Sequence, residues 1–159
     1  MRWTILAMGK LKEAHWRAAA AEYLKRLAPY RAIEVVELAD ERADPGQSEV
    51  LIGAARAREG DRILAAVRPG AHLIALWEQG EQLASSVLAG RLEALEREGL
   101  REAVFVLGGA NGLDPRVLAR AGWRLGLSSL TLPHQLARVV LIEQLYRAER
   151  IRRQEPYHK

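Results

Sequence analysis

The 159-residue chain contains no cysteine. That excludes disulfides and thiolate metal ligands, and it suits a reducing, cytoplasmic location. Aromatic residues are few, with one phenylalanine in the whole chain, so the core is expected to rest on Leu, Ile, Val and Ala. No apolar run is long enough to span a membrane, and the stretch from Met1 to Lys10 is too short for a signal segment. The four histidines, His15, His72, His134 and His158, are scattered through the chain, so no metal is expected. Paired carboxylates and a Ser-His-Asp pattern are missing. So are the glycine fingerprints of dinucleotide and P-loop sites.

What the chain does have is an average globular composition, with 49% hydrophobic and 28% charged residues, and a length expected for one domain covering residues 1–159. The formal net charge is +4, unevenly spread. From His134 onward Arg138, Arg147, Arg150, Arg152, Arg153 and Lys159 face only Glu143, Glu149 and Glu155. A basic end on a near-neutral body fits a polyanionic partner; it fits equally a helix end whose cations sit near the negative pole of the dipole.

Hydrophobic periodicity predicts strands at Trp3–Met8, Ile33–Leu38, His72–Trp77, Ala103–Leu107 and Trp123–Leu127. Helices are predicted between them. The first, Glu13–Leu27, is stopped by Pro29. The second starts at an N-cap Ser48 and runs to about Val67. The third is capped by Ser85 or Ser86 and closed by Gly99. The fourth has Asp114 as N-cap and Pro115 at N1 and ends near Gly122, and the last runs from His134 to about Arg152. A polar loop with Pro45-Gly46 follows the second strand. Strands alternating with helices imply an α/β fold with a mainly parallel sheet flanked by helices. In the last helix Val139, Val140, Leu141 and Ile142 are consecutive and point all round the axis. Such a helix must be buried on most sides; a second subunit is the expected cover, and a central place within the monomer is the alternative. The tail from Gln154 to Lys159 has no packing pattern and is expected to be mobile.

Two segments bear chemistry. Leu107-Gly108-Gly109-Ala110-Asn111-Gly112 follows the cleanest strand, and its glycines let a ligand approach the backbone closely. Leu127-Ser128-Ser129-Leu130-Thr131-Leu132-Pro133 leads into the last helix and offers hydroxyls and backbone groups to a nucleoside-like edge. Such loops at strand ends form the ligand crevice of an open α/β sheet. His134 begins the last helix, where the dipole disfavours an imidazolium. Arg138, one turn on, precedes an apolar run and needs a carboxylate, phosphate or carbonyl partner. Glu143 and Arg147 are spaced to pair. Tyr157 and His158 near the end of the chain have the chemistry to stack on and bond RNA.

The Leu107-Gly108-Gly109 and Gly112-Leu113 pattern, Leu127-Ser128 with Leu130-Thr131-Leu132-Pro133-His134, Arg138-Val139 through Glu143-Gln144-Leu145-Tyr146-Arg147-Ala148, and Pro156-Tyr157-His158 stand in this order. Together they resemble the ribosomal RNA large-subunit methyltransferase H family, small knotted enzymes of the SPOUT class, over the full length. The resemblance implies methyl transfer from S-adenosylmethionine to N3 of a pseudouridine in 23S rRNA of the assembled 70S ribosome. It also implies a C-terminal trefoil knot and a homodimer. By motif, the cofactor would be held by Leu76, Gly108, Leu127, Ser128, Ser129, Leu130, Thr131 and Leu132. His134, Arg138, Tyr157 and His158 are the candidates on the substrate side. Trp77 departs from the family, many members of which carry an acidic residue there. The competing readings are an α/β dimer that binds RNA or ribosomes without chemistry, and a methyltransferase for another RNA.

Overall fold

The computed structural model describes residues 1–42, 44 and 46–157. Pro45 of the loop signal, His158 and Lys159 lie outside them. Ten elements alternate: β1 (Arg2–Met8), α1 (Ala14–Leu27), β2 (Ile33–Leu38), α2 (Glu49–Ala66), β3 (His72–Gln82), α3 (Ser85–Arg97), β4 (Glu102–Leu107), α4 (Pro115–Arg120), β5 (Trp123–Gly126) and α5 (His134–Arg152). The strands form one sheet in the order β2-β1-β4-β3-β5, parallel throughout.

Local chemistry sets several boundaries. The Ser48 hydroxyl accepts from the Leu51 N–H at 3.4 Å, capping α2. Asp114 Oδ1 accepts from the Arg116 N–H at 2.7 Å, with Pro115 at the first helical position of α4. The serine cap predicted for α3 is absent. Ala84 occupies that position, and the Ser85 hydroxyl donates instead to Gln144 Oε1 on α5 at 2.7 Å. β3 outruns its predicted end at Trp77. Both Leu76 and Glu81 align with Leu125 of β5, so residues 77–80 bulge out before pairing resumes.

Because strand side chains alternate between faces, each buried strand feeds two cores. Trp3, Ile5 and Ala7 of β1, with Phe105 and Leu107 of β4, belong to the layer that includes α1, α3 and α5. Leu6 and Met8, with Val104 and Val106, belong to the layer of α2 and α4. Strands buried on both faces read as continuous apolar runs. Trp3 and Phe105 meet edge to face at 6.1 Å. Fully burying side chains of this size is worth about 1.5–3 kcal/mol each.

α5 corrects the expectation about its cover. It packs against both α1 and α3, and Leu141, Ile142 and Leu145 are fully buried within one chain. Val139, Leu141 and Ile142 of the apolar run belong to the monomer's own core, and Val140 is half-buried. The described part of the tail packs on the body of the chain instead of lacking contacts. The Glu155 N–H donates to the Arg150 carbonyl at 2.9 Å, and the Tyr30 hydroxyl donates to the Glu155 carboxylate at 2.8 Å.

Most of the basic C-terminal end is engaged internally. Arg138 donates to Glu37 Oε1 and to the Gly9 carbonyl, both at 2.7 Å. Arg147 pairs with Glu143 at 2.6 Å, as its spacing predicts. Arg150 donates to the Tyr146 hydroxyl at 2.9 Å, and Arg153 lies 4.9 Å from the Tyr30 ring. Arg152 joins a cluster with the Met1 amine, Arg31, Glu96 and Glu149.

Candidate active site

The carboxyl ends of β3, β4 and β5 open into a cleft of about 660 Å³, within the range of small-molecule sites. Three segments build it. Leu76, Trp77 and Glu78 come from the end of the regular part of β3 and its bulge. Leu107 to Leu113 follow β4. Leu127, Ser128, Leu130, Thr131 and Leu132 lead into α5, whose His134 and Ala137 close the wall. The walls are mainly apolar, with hydroxyls from Ser128 and Thr131.

The β4 segment turns tightly. The Gly112 N–H donates to the Gly109 carbonyl at 3.1 Å, and Gly112 has φ +77°, which a side chain rarely tolerates. A Cβ on Gly108 would stand 3.1 Å from the backbone of Gly112. In the α5 segment the Ser128 hydroxyl accepts from the Leu130 N–H at 2.9 Å, closing a local turn. That turn leaves Leu130 74% exposed at the mouth, an apolar side chain with nothing of its own chain to cover it. The β3 bulge closes on β5 backbone to backbone: a Cβ on Gly80 would lie 2.7 Å from the Gly126 nitrogen.

Of the predicted cofactor residues, Leu76, Gly108, Leu127, Ser128, Leu130, Thr131 and Leu132 line this cleft, and Ser129 does not. Of the predicted substrate-side residues, only His134 lines it. Arg138 is buried behind the wall, tying the first turn of α5 to the end of β1 through Gly9. Tyr157 packs on Tyr146 at 4.9 Å between ring centroids. Its hydroxyl donates to Glu143 Oε1 at 3.0 Å, and burial together with that bond pushes its ionisation up. His158 lies outside the described residues.

The chain matches the family model "Predicted SPOUT methyltransferase" over residues 1–158. It belongs to the SPOUT methyltransferase family. Among solved structures it is similar to the one described as "putative methyltransferase Lpg2936 from Legionella pneumophila in complex with the bound cofactor SAM". That similarity has a TM-score of 0.48 at 10% identity and covers 91% of this chain. The chain spans 65% of the length of that relative.

Sequence reasoning missed two charged groups of this SPOUT cleft. Glu78 sits in the bulge that lengthens β3, beyond the predicted strand end, and is the cleft's one carboxylate. Arg56 belongs to α2, half the chain away from the motifs, and is its one guanidinium. An acid beside Trp77 was legible as a neighbour of the departure. Nothing local marked Arg56. A third group lies just beneath the cleft. Glu59 is 1% exposed and accepts from the Glu41 N–H at 2.7 Å, and its other oxygen has no partner among the described residues. Burial, then the nearby Asp40 and Glu41 charges, outweigh that hydrogen bond and raise its pKa above the ordinary carboxylate range. No three His, Asp or Glu side chains among the described residues converge as metal ligands, and no described helix is long and apolar enough to cross a membrane.

Proposed function

We propose that this chain transfers a methyl group from S-adenosylmethionine to N3 of a pseudouridine in 23S rRNA of the assembled ribosome, in the cytoplasm. One observation carries the reading. The segments singled out by the sequence resemblance, at Leu76, at Gly108 and at Leu127 to Leu132, converge on a single cleft although they lie far apart in the chain. The cleft also fits the cofactor chemically: apolar walls suit an adenosine and a thioether-like chain, and the glycine turn lets the backbone approach closely.

When bound, S-adenosylmethionine supplies a methyl group on a sulfonium. The protein's share of the work is alignment and proton handling. Leu76 and Leu127 to Leu132 would hold the adenosine, and the backbone of Gly108 would border the ligand. N3 of a pseudouridine carries an imide proton that must leave as the new bond forms. His134 and Glu78 are the cleft-lining side chains able to accept it. A homodimer and a knotted C-terminal path belong to the same proposal. Both rest on the family resemblance.

Isothermal titration with S-adenosylmethionine, followed by mass spectrometry of 23S rRNA from cells with and without the gene, tests the reading. Micromolar-range binding and loss of one methyl at a pseudouridine are expected. A wild-type protein that does not bind the cofactor, or an rRNA unchanged by deletion, overturns it.

A further inference from the structure

We propose that Arg56 is an oxyanion grip of the cleft, binding either the carboxylate of the cofactor's amino-acid end or a phosphate of the RNA. This rests on the reading of the cleft given above. The Arg56 Nε–H donates to the Asn111 carbonyl at 2.9 Å, which fixes the plane of the guanidinium against the glycine turn. Its two terminal nitrogens make no hydrogen bond or ion pair among the described residues. The carboxylate that feels its charge, Asp114, is bound elsewhere: Arg116 binds both its oxygens at 3.0 Å and also supplies a backbone N–H at 2.7 Å. Almost every other arginine that reaches a buried wall of this protein has a partner, as Arg31, Arg138 and Arg152 show. Arg56 is instead half-buried in the lining of the cleft, bonded within the chain through its Nε alone. A guanidinium fork matches the two oxygens of a carboxylate or phosphate, and its charge is worth most where water is partly excluded.

The test is titration of wild type, Arg56→Gln and Arg56→Lys with S-adenosylmethionine and with decarboxylated S-adenosylmethionine. Binding to 70S ribosomes is then measured across a salt series. If the anion is the cofactor's carboxylate, Arg56→Gln weakens S-adenosylmethionine at least tenfold and leaves the decarboxylated ligand's affinity unchanged. If it is an RNA phosphate, both small-ligand affinities stay put, ribosome binding weakens, and the slope against log salt falls by about one. Arg56→Lys keeps the charge without the fork and should fall between the other two. Equal weakening of both small ligands would mean that Arg56 acts only by shaping the Asn111 turn, and would overturn the proposal. No change in any of the three measurements would overturn it too. Absence of cofactor binding by the wild type would instead remove the methyltransferase reading.

Discussion

The two ends of α5 are built in opposite ways. At the carboxyl end the helix is locked by charge. Glu149 accepts from Arg31 at 2.7 Å and from Arg152 at 2.8 Å, while Glu96 accepts from the Met1 amine, Arg31 and Arg152, each at 2.6 Å. Arg31 also covers the Trp3 ring at 4.8 Å. Three cations and two carboxylates close on one another. At the amino end the helix begins at Pro133, without a side-chain cap, and His134 is exposed in the cleft wall. There Arg56 is bonded within the chain through its Nε alone, one Glu59 oxygen is unpartnered, and the Leu130 side chain is uncovered. The carboxyl end pairs its charges within the chain, with the Arg152 Nε the atom left over; the amino end leaves whole groups unpaired. Stability and ligand binding should therefore respond to different substitutions.

The largest expected effect is at the closed end. Glu149 is 2% exposed, so Glu149→Ala leaves Arg31 and Arg152 to share Glu96 alone in a poorly hydrated place. A loss of about 3 kcal/mol in unfolding free energy is expected from the charged hydrogen bonds removed, read by denaturant titration. Cofactor affinity of the fraction that stays folded should hold within about twofold of wild type, since RT ln 2 is small against binding energies. A tenfold affinity loss in a well-folded Glu149→Ala protein would show that the two ends are not separable.

The converse substitution is Gly108→Val. Its added Cβ would crowd the Gly112 backbone, and its branches would stand at the edge of the cleft. At least a tenfold loss of S-adenosylmethionine affinity is expected, about 1.4 kcal/mol, in a protein that still unfolds cooperatively. Unchanged affinity in the folded variant would take Gly108 out of the site.

A pH titration sharpens the comparison at the closed end. Hydrogen bonds and charge from Arg31, the amino terminus and Arg152 hold the Glu96 carboxyl well below the usual range against an opposing burial effect. A depressed folded pKa contributes stability that is fully present above the unfolded value and is lost as pH falls towards the folded one. Between about pH 5 and pH 2 the wild type should lose on the order of 2 kcal/mol from this group. Glu96→Gln should be less stable at pH 7 and show a shallower acid limb. Parallel pH profiles for the two proteins would assign acid sensitivity to other carboxylates.

What could be read in advance was local. Ser48, Asp114 and Pro115 announce helix starts because a side chain and its own backbone decide the matter within three residues. The apolar strands announce themselves because both their faces are buried. The cleft-lining segments after β4 and before α5 were legible as glycine and hydroxyl loops at strand ends. What stayed hidden depends on partners remote in sequence. The β3 bulge exists because β5 pairs on both sides of it, with Gly80 against Gly126. Ser85 abandons its cap because Gln144 is within reach. An all-round apolar helix shows that a cover is needed, not that α1, α3 and the sheet of the same chain supply it. Arg56 joins the cleft only because α2 packs beneath the β4 turn, which no spacing in the chain records.

The smallest expected effect is at the open end, under the glycine turn. The Glu59 carboxylate lies close enough to Gly109 that a Cβ there would stand 3.3 Å from Oε1, and Oε2 is sealed from water without a partner. Burial and the neighbouring acids raise its pKa, with Arg62 acting in the opposite sense. For an acid with a raised folded pKa, the folded state is favoured while the group keeps its proton. That advantage disappears as pH climbs from the unfolded value through the folded one. Above this window the buried ion is a standing cost. Glu59→Gln removes the ionisation and keeps an oxygen for the Glu41 N–H. Relative to wild type, the variant should show no gain in unfolding free energy at pH 4, and a gain at pH 8. Denaturant titrations at pH 4, 6 and 8 read the difference. A variant destabilised equally at all three values would show that the carboxylate is held by an interaction the amide cannot replace. In that case the open end would be stabilised by Glu59 and the contrast with the Glu96–Glu149 cluster would narrow.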